Sequence, residues 1–202
     1  MNNNRVIICL HGYGKRRGIQ FKALVDALGN KYNFVCVDYF TLNENDINYK
    51  DWLDRAETVF IENKDKEIIV IGFSLGAVIG SYFANKYNVK KMIFIGASFE
   101  YDYFLRIKKA SPEKVIPIAY LDTFVDVVDN CADSIYEVNC PVTYIHAKGD
   151  EIIPYELSVK YCEKTKKGKL ISLDGGQHML FDNELLKDKT IEIIDSEISE
   201  LI

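Results

Sequence analysis

Short apolar runs alternate with longer amphipathic segments along the chain, and this alternation constrains the fold more than any other feature. Six runs favour β-strands, at residues 5–10, 33–38, 67–73, 91–97, 142–147 and 169–175. Most are almost continuously apolar, as is typical of strands that are buried on both faces. Helical patterns lie between them, at residues 19–29, 49–62, 75–87, 154–165 and 182–200. The alternation predicts an α/β fold, in which helices cover both faces of a mainly parallel sheet as a three-layer α/β/α sandwich.

One long segment, residues 98–140, interrupts this rhythm between the fourth and fifth strands. Crossover loops are usually much shorter. Within it, "EYDYFLRIKKA" and "LDTFVDVVDN" have the pattern of short helices, and Pro112 and Pro117 punctuate them. Two interpretations stay open: a small cap at the edge of the sheet, or an ordinary helix with long loops. Apart from this insertion after the fourth strand, we expect residues 1–202 to form a single domain.

Composition and charge argue against several classes of protein. The net charge of −5 disfavours nucleic-acid binding, which depends on Lys and Arg neutralising phosphates, and it disfavours an anionic membrane surface. The five cysteines form no C-x-x-C pair, so we expect reduced thiols, no structural zinc and no cofactor. Cys9 and Cys36 lie in strand-like runs, where we expect them to pack as small hydrophobes. No run resembles a membrane span or a signal peptide, so we expect a cytoplasmic protein.

The pentapeptide "GFSLG" (72–76) is the first candidate for chemistry. It matches G-x-S-x-G at the end of an apolar strand and the start of a helix, which is the context this motif requires. A serine on so sharp a turn brings the residues two before and two after it close together, and glycine avoids the resulting clash. Ser74 is therefore a candidate nucleophile, although the pentapeptide alone also occurs by chance.

A serine nucleophile needs a base and the base needs a carboxylate to orient it. Among the three histidines, His178 in "DGGQHML" directly follows the last strand and is the preferred base, whereas His146 lies within a strand and suggests a packed, structural histidine. Asp150 in "KGDEIIP" follows the fifth strand and is the preferred acid. Its neighbour Glu151 is the second choice and Asp174 a weaker one.

The loop "HGYG" (11–14) after the first strand is suited to stabilising an oxyanion. Its glycines let a backbone N–H turn towards the site, and we expect the donors to be the N–H groups of Tyr13 and Leu75. His11 is assigned to shaping this loop. A candidate substrate-binding set consists of His11, Phe99 and Tyr103, and plain packing is an equally valid interpretation of the two aromatic residues.

Together these motifs resemble the α/β-hydrolase superfamily. "HGYG", "GFSLG", "GDEIIP" and "GGQHM" occur in that family's order and span residues 5–182. The resemblance maps the family's nucleophile, acid and base onto Ser74, Asp150 and His178. The small size resembles compact bacterial carboxylesterases and monoacylglycerol-lipase-like members. The two antiparallel strands that open many members are missing here, which implies a sheet of about six strands.

The resemblance implies a serine hydrolase that cleaves small carboxylic esters, with thioesters also considered, through an acyl-enzyme on Ser74. Its partner would be a small-molecule substrate, without metal or cofactor. Two alternatives stay open. The first is an acyltransferase that uses the same residues, and the second is a binding protein that has this fold without catalysis.

Overall fold

The computed structural model of the protein describes residues 4–13, 19–39, 48–103 and 118–201. The strands are β1 Arg5–Leu10, β2 Phe34–Val37, β3 Glu67–Phe73, β4 Val89–Ile95, β5 Val142–Ala147 and β6 Gly168–Leu173. The helices are α1 Lys22–Leu28, α2 Tyr49–Glu62, α3 Leu75–Ala84, α4 Ile118–Cys131, α5 Tyr155–Lys164 and α6 Lys187–Ser199. Short 3-10 turns lie at Ile19–Phe21, Ala132–Glu137 and Leu180–Asp182.

The strands form a single six-stranded sheet in the order β2-β1-β3-β4-β5-β6, and every pairing in it is parallel. This confirms the parallel sheet of about six strands that the sequence predicts. The strand order reverses direction at β1, because the chain adds β2 on one side of β1 and β3 on the other. The crevice above the carboxyl ends of such neighbouring strands is where ligands bind in open α/β folds.

Helices cover both faces of the sheet, so the three-layer sandwich is also confirmed. Alternation along β1 sends Ile8 and Leu10 into the core that lies beneath α2, α3 and α4. Ile7 and Cys9 enter the opposite core, beneath α1 and α6. The central strands β3, β4 and β5 are buried along almost their whole length. This explains why their sequences are continuously apolar rather than alternating.

The long segment after β4 contributes a packed helix. α4 contacts α2 and α3, and its side chains Phe124 and Val128 belong to the core on that face. The acidic residues of this helix, Asp122, Asp126 and Asp129, are exposed. α4 is therefore a crossover helix of the sandwich. Most of the predicted helix "EYDYFLRIKKA" and the two prolines lie in 104–117, outside the described residues, and the cap stays a prediction.

Cys36 corrects one expectation. Its strand, β2, is at the edge of the sheet, and the Cys36 side chain is exposed, whereas its neighbour in the register, Cys9, is buried. Strand order cannot be read from an apolar run, so the sequence alone does not separate an edge strand from a central one. All five cysteines are free thiols. Over the described ranges, no helix is long and apolar enough to cross a membrane.

Candidate active site

Ser74 lies on the turn between β3 and α3, with a strained backbone. Its φ and ψ are 50° and −116°, and within the described ranges it is the one residue other than glycine with a positive φ. Such a conformation costs about 1–3 kcal/mol and persists only where the surroundings impose it. The Ser74 N–H donates to the carbonyl oxygen of Ile95 at 2.9 Å, which fixes the turn against the end of β4.

The two glycines of the motif are required by close backbone contacts. A Cβ at Gly76 would lie 1.9 Å from the carbonyl oxygen of Leu10, and a Cβ at Gly72 would lie 2.5 Å from the Cα of Ala77. Both neighbours are main-chain atoms, which cannot move aside as a side chain can. The tight packing of α3 against β1 and β3 therefore depends on these glycines, as the sequence motif predicts.

Asp150 lies in the loop after β5, and each of its two carboxylate oxygens has two partners. Oδ1 accepts hydrogen bonds from the N–H groups of Ile152 and Ile153, at 2.9 and 2.7 Å. Oδ2 lies 2.8 Å from Nδ1 of His178 and 3.1 Å from Nε2 of His146. Three of these contacts are hydrogen bonds and the fourth is a close N–O contact, so the carboxylate is held at both oxygens.

These bonds set the charge of Asp150. Burial on its own raises the pKa of the carboxyl, but the hydrogen bonds with His146, His178 and the backbone outweigh it and bring the pKa of Asp150 well below its usual range. Asp150 is thus a carboxylate at neutral pH. A carboxylate only accepts, so His178 carries a proton on Nδ1 and, when neutral, a free lone pair on Nε2.

His178 is held next to the serine turn by contacts from three sides. The Phe73 ring, which precedes Ser74, contacts the His178 ring edge-to-face with centroids 5.0 Å apart. A Cβ at Gly96 would lie 3.2 Å from both Cε1 and Nδ1 of His178, so glycine leaves room for the imidazole. The backbone N–H of His178 donates to Oε2 of Glu151 at 3.0 Å.

The loop after β1 lies against the same turn. A Cβ at Gly12 would be 3.1 Å from Cβ of Ser74. The Gly12 N–H donates to the side-chain oxygen of buried Gln20 at 2.7 Å, which ties the loop down and occupies that donor. The next N–H in the loop belongs to Tyr13. Leu75 is the first residue of α3, so its N–H has no partner within the helix.

The three candidate substrate-binding residues, His11, Phe99 and Tyr103, each contact other parts of the protein. His11 is buried, its ring stacks on Tyr39 with centroids 4.2 Å apart, and its Nδ1 lies 2.7 Å from the Gly12 carbonyl oxygen. Phe99 is buried between Phe94 and Tyr161. The Tyr103 hydroxyl donates to the carbonyl oxygen of Ile152 in the acid loop.

Three side chains of this site have roles that the sequence reasoning did not assign. Gln20 holds the loop after β1, Glu151 holds the backbone of His178, and His146 contacts the same carboxylate as His178. For His146 a signal existed: it is a histidine in an otherwise apolar strand, four residues before the acid. The sequence marks Glu151 only as the alternative acid, and no motif in it marks Gln20.

The sequence of residues 5–128 matches the family model of the alpha/beta hydrolase fold. The match covers more than half of the chain, and the protein belongs to the α/β hydrolase family. Membership in this family supports hydrolase activity for the protein. No curated protein matches the chain in sequence.

Several solved structures share the fold at low sequence identity. Monoacylglycerol lipase of Paleococcus ferrophilus superimposes with a TM-score of 0.73 at 13% identity, covering 94% of this chain and 91% of the lipase. An esterase from Exiguobacterium antarcticum gives 0.71 at 17% identity, covering 98% and 93%. Est1E from Butyrivibrio proteoclasticus gives 0.70 at 20% identity, covering 98% and 91%. At such identities, the likeness establishes the fold alone.

Proposed function

We propose that the protein is a serine hydrolase that cleaves small carboxylic esters through an acyl-enzyme on Ser74. The observation that carries this proposal is the 2.8 Å contact between Nδ1 of His178 and Oδ2 of Asp150, beside a serine with φ 50°. That contact leaves Nε2 of a neutral His178 as the proton acceptor, at the turn that presents the Ser74 hydroxyl. A strained serine, a base and a buried acid together form the arrangement that activates a hydroxyl.

The proposed reaction has two halves. Ser74 Oγ attacks the ester carbonyl carbon as its proton passes to Nε2 of His178, and the tetrahedral intermediate collapses with expulsion of the alcohol, which takes the proton from His178. Water then attacks the acyl-enzyme as its proton passes to His178, and the carboxylic acid leaves as Ser74 regains its proton. Throughout, Asp150 stays ionised and stabilises the imidazolium.

The oxyanion of each intermediate would accept hydrogen bonds from the backbone N–H groups of Tyr13 and Leu75. The N-terminus of α3 supports this role, because its positive dipole end lies at the serine turn. Each such donor contributes about 2.7–4 kcal/mol to the transition state. The neighbour names agree with an ester substrate, since they include a monoacylglycerol lipase and an esterase.

A fluorophosphonate probe tests the nucleophile directly. We expect Ser74→Ala to abolish both p-nitrophenyl ester turnover and covalent labelling, because the attacking oxygen is gone. Ser196→Ala is the matched control, since Ser196 is exposed on α6 and should leave both readouts unchanged. Normal turnover by Ser74→Ala would refute the proposal.

A chain-length series would define the substrate. Wild-type kcat/KM is measured on p-nitrophenyl esters from acetate upwards and on the matching thioesters. We expect the highest values for short acyl esters. A preference for long chains, or for thioesters, would move the proposal to a lipase or a thioesterase with the same catalytic residues.

A further inference from the structure

His146 is a fully buried histidine that the reaction above does not use. It lies in β5 with 0% of its surface exposed, in a strand whose six residues are all buried. Burying an imidazole without hydrogen bonds is costly, so its partners matter. Its Nδ1 lies 2.6 Å from Oγ of Ser158, and its Nε2 lies 3.0 Å from the carbonyl oxygen of Ile153 and 3.1 Å from Oδ2 of Asp150.

The direction of the bond to Asp150 follows from the nature of these partners. A carbonyl oxygen and a carboxylate oxygen both face Nε2 of His146, and both can only accept. Nε2 therefore carries a proton, which it donates to the carbonyl oxygen of Ile153, and this N–H also lies 3.1 Å from Oδ2 of Asp150, where it stabilises the carboxylate. The two imidazoles thus face one oxygen atom, Oδ2, which His178 contacts by a hydrogen bond at 2.8 Å and His146 approaches to 3.1 Å.

The other end of the imidazole is anchored to the protein core. Ser158, buried on α5, lies 2.6 Å from Nδ1 of His146, and its hydroxyl is 3.1 Å from the carbonyl oxygen of Ala97. Ala97 is the second residue after the end of β4. A continuous chain of contacts therefore runs from the end of β4 through Ser158 and His146 to Asp150, and from there to His178.

We propose that His146 is a positioning residue that holds the carboxylate of Asp150 in the orientation required by His178. This inference rests on the proposed function, in which His178 is the base. Oδ1 of Asp150 is held by two backbone N–H groups, and His146 supplies the second contact on Oδ2. Without it, the oxygen that orients His178 is held by His178 alone, and the alignment of the base with Ser74 loosens.

The position of His146 also predicts which kinetic constant changes. Its side chain is wholly buried in the sheet, so it does not reach the substrate. A change there acts on the proton transfer and leaves binding nearly intact. General-base catalysis contributes about 10²–10⁴-fold to the rate, and partial misalignment of the base should remove a fraction of it.

The first experiment compares His146→Leu, which has no donor, with His146→Gln, whose amide N–H can still donate to Asp150. Wild type and variants are assayed for kcat and KM on p-nitrophenyl acetate and for the rate of fluorophosphonate labelling. For His146→Leu we expect kcat and the labelling rate to fall about tenfold or more, with KM within about threefold. Partial recovery of both rates in His146→Gln is expected. Unchanged kcat in His146→Leu would overturn the proposal.

A double-mutant cycle with His178→Ala separates positioning from a structural effect. If His146 acts through His178, adding His146→Leu to His178→Ala changes the residual labelling rate less than about twofold. An equal loss in both backgrounds would show a general distortion of the site and overturn the proposal. Should His146→Leu fail to fold, the same cycle is run with His146→Gln and with Ser158→Ala, and the same two outcomes decide.

The outcomes for the two proposals are distinguishable. Turnover that survives in Ser74→Ala would refute the serine hydrolase itself. Turnover that requires Ser74, combined with an additive His146–His178 cycle, would refute only the role of His146.

Discussion

At the scale of single residues, the absence of one side-chain carbon at Gly76 permits the serine turn. The carbonyl oxygen of Leu10 occupies the space in which a Cβ would lie, at 1.9 Å. This oxygen belongs to the last residue of β1, so it cannot retreat without moving the sheet. A Cβ at Gly80, which also lies in α3, would meet only side-chain atoms. The nearest of them is Cγ1 of Val70, at 2.8 Å.

This contrast gives a prediction with an internal control. Gly76→Ala should lower the free energy of unfolding by about 3 kcal/mol, the upper part of the range for overpacking, because main-chain atoms must shift. Gly80→Ala should lower it by less, about 1 kcal/mol, since it crowds side-chain atoms alone and gains the better helix propensity of alanine. Urea denaturation of both variants measures the difference. Equal effects would contradict the account of the turn.

At the scale of elements, a buried ion network joins α6 to three neighbouring strands. Glu197 on α6 contacts Lys91 of β4 at 2.6 Å, accepts from the Thr143 hydroxyl of β5 at 2.6 Å and contacts Lys169 of β6 at 2.5 Å. Lys91 also donates to the backbone oxygen of Glu197 at 2.8 Å and contacts Glu200 at 3.1 Å. One helix is thereby attached at a single position to half of the sheet.

The network predicts a strong effect of neutralising Glu197. In Glu197→Gln the buried ammonium of Lys91 loses its closest counter-charge, and removing one member of a buried pair costs about 3–5 kcal/mol. We expect the lower end of that range, because Lys91 keeps its contacts with Glu200 and the backbone. Glu192→Gln is the matched control, an exposed position on the same helix, where we expect a change within about 0.5 kcal/mol. Urea unfolding at neutral pH measures both.

At the scale of the whole molecule, several carboxylates share one direction of pKa shift. For Asp150, Asp195 and Glu197, burial raises the pKa, but hydrogen bonds from histidine, lysine, tyrosine or threonine partners outweigh it, and the pKa of each is lowered. These groups therefore bind fewer protons in the folded state than in the unfolded chain. Their contribution to stability is present above the unfolded pKa, near about 4, and is lost as the pH falls through the folded values.

The free energy of unfolding should accordingly decrease as the pH falls below about 4. Each such group adds up to about 1.4 kcal/mol per pH unit to the slope. Urea unfolding curves at several pH values between about 6 and 3 measure it. In Glu197→Gln the free energy of unfolding should decrease less steeply with falling pH than in wild type, because the variant lacks the carboxyl group that takes up a proton on unfolding. A decrease that runs parallel in the two proteins would contradict the assignment of Glu197.

The sequence predicts which edge of the sheet holds the candidate residues, because parallel strands bring the loops after them to one edge. Ser74, Asp150 and His178 each follow a strand, and the structure places Asp150 against His178 and His178 against Phe73 of the serine turn. Whether these residues perform the proposed reaction stays a prediction. The glycines around Ser74 are also readable in advance, because their spacing between a strand and a helix is the one that a sharp strand-to-helix turn requires.

By itself, the pattern of apolar runs and strand-end motifs determined the class of fold, the order of its elements and the edge that holds the candidate site, because hydrophobic periodicity and turn chemistry are local properties of the chain. The tertiary structure alone decided that β2 is an edge strand that exposes Cys36, that Glu197 meets three strands, and that His146 shares the carboxylate oxygen of His178. Those facts depend on strand order and on how loops fold back. Such features are set by contacts between residues far apart in the chain, or by the path that a single loop takes. No local sequence pattern encodes either.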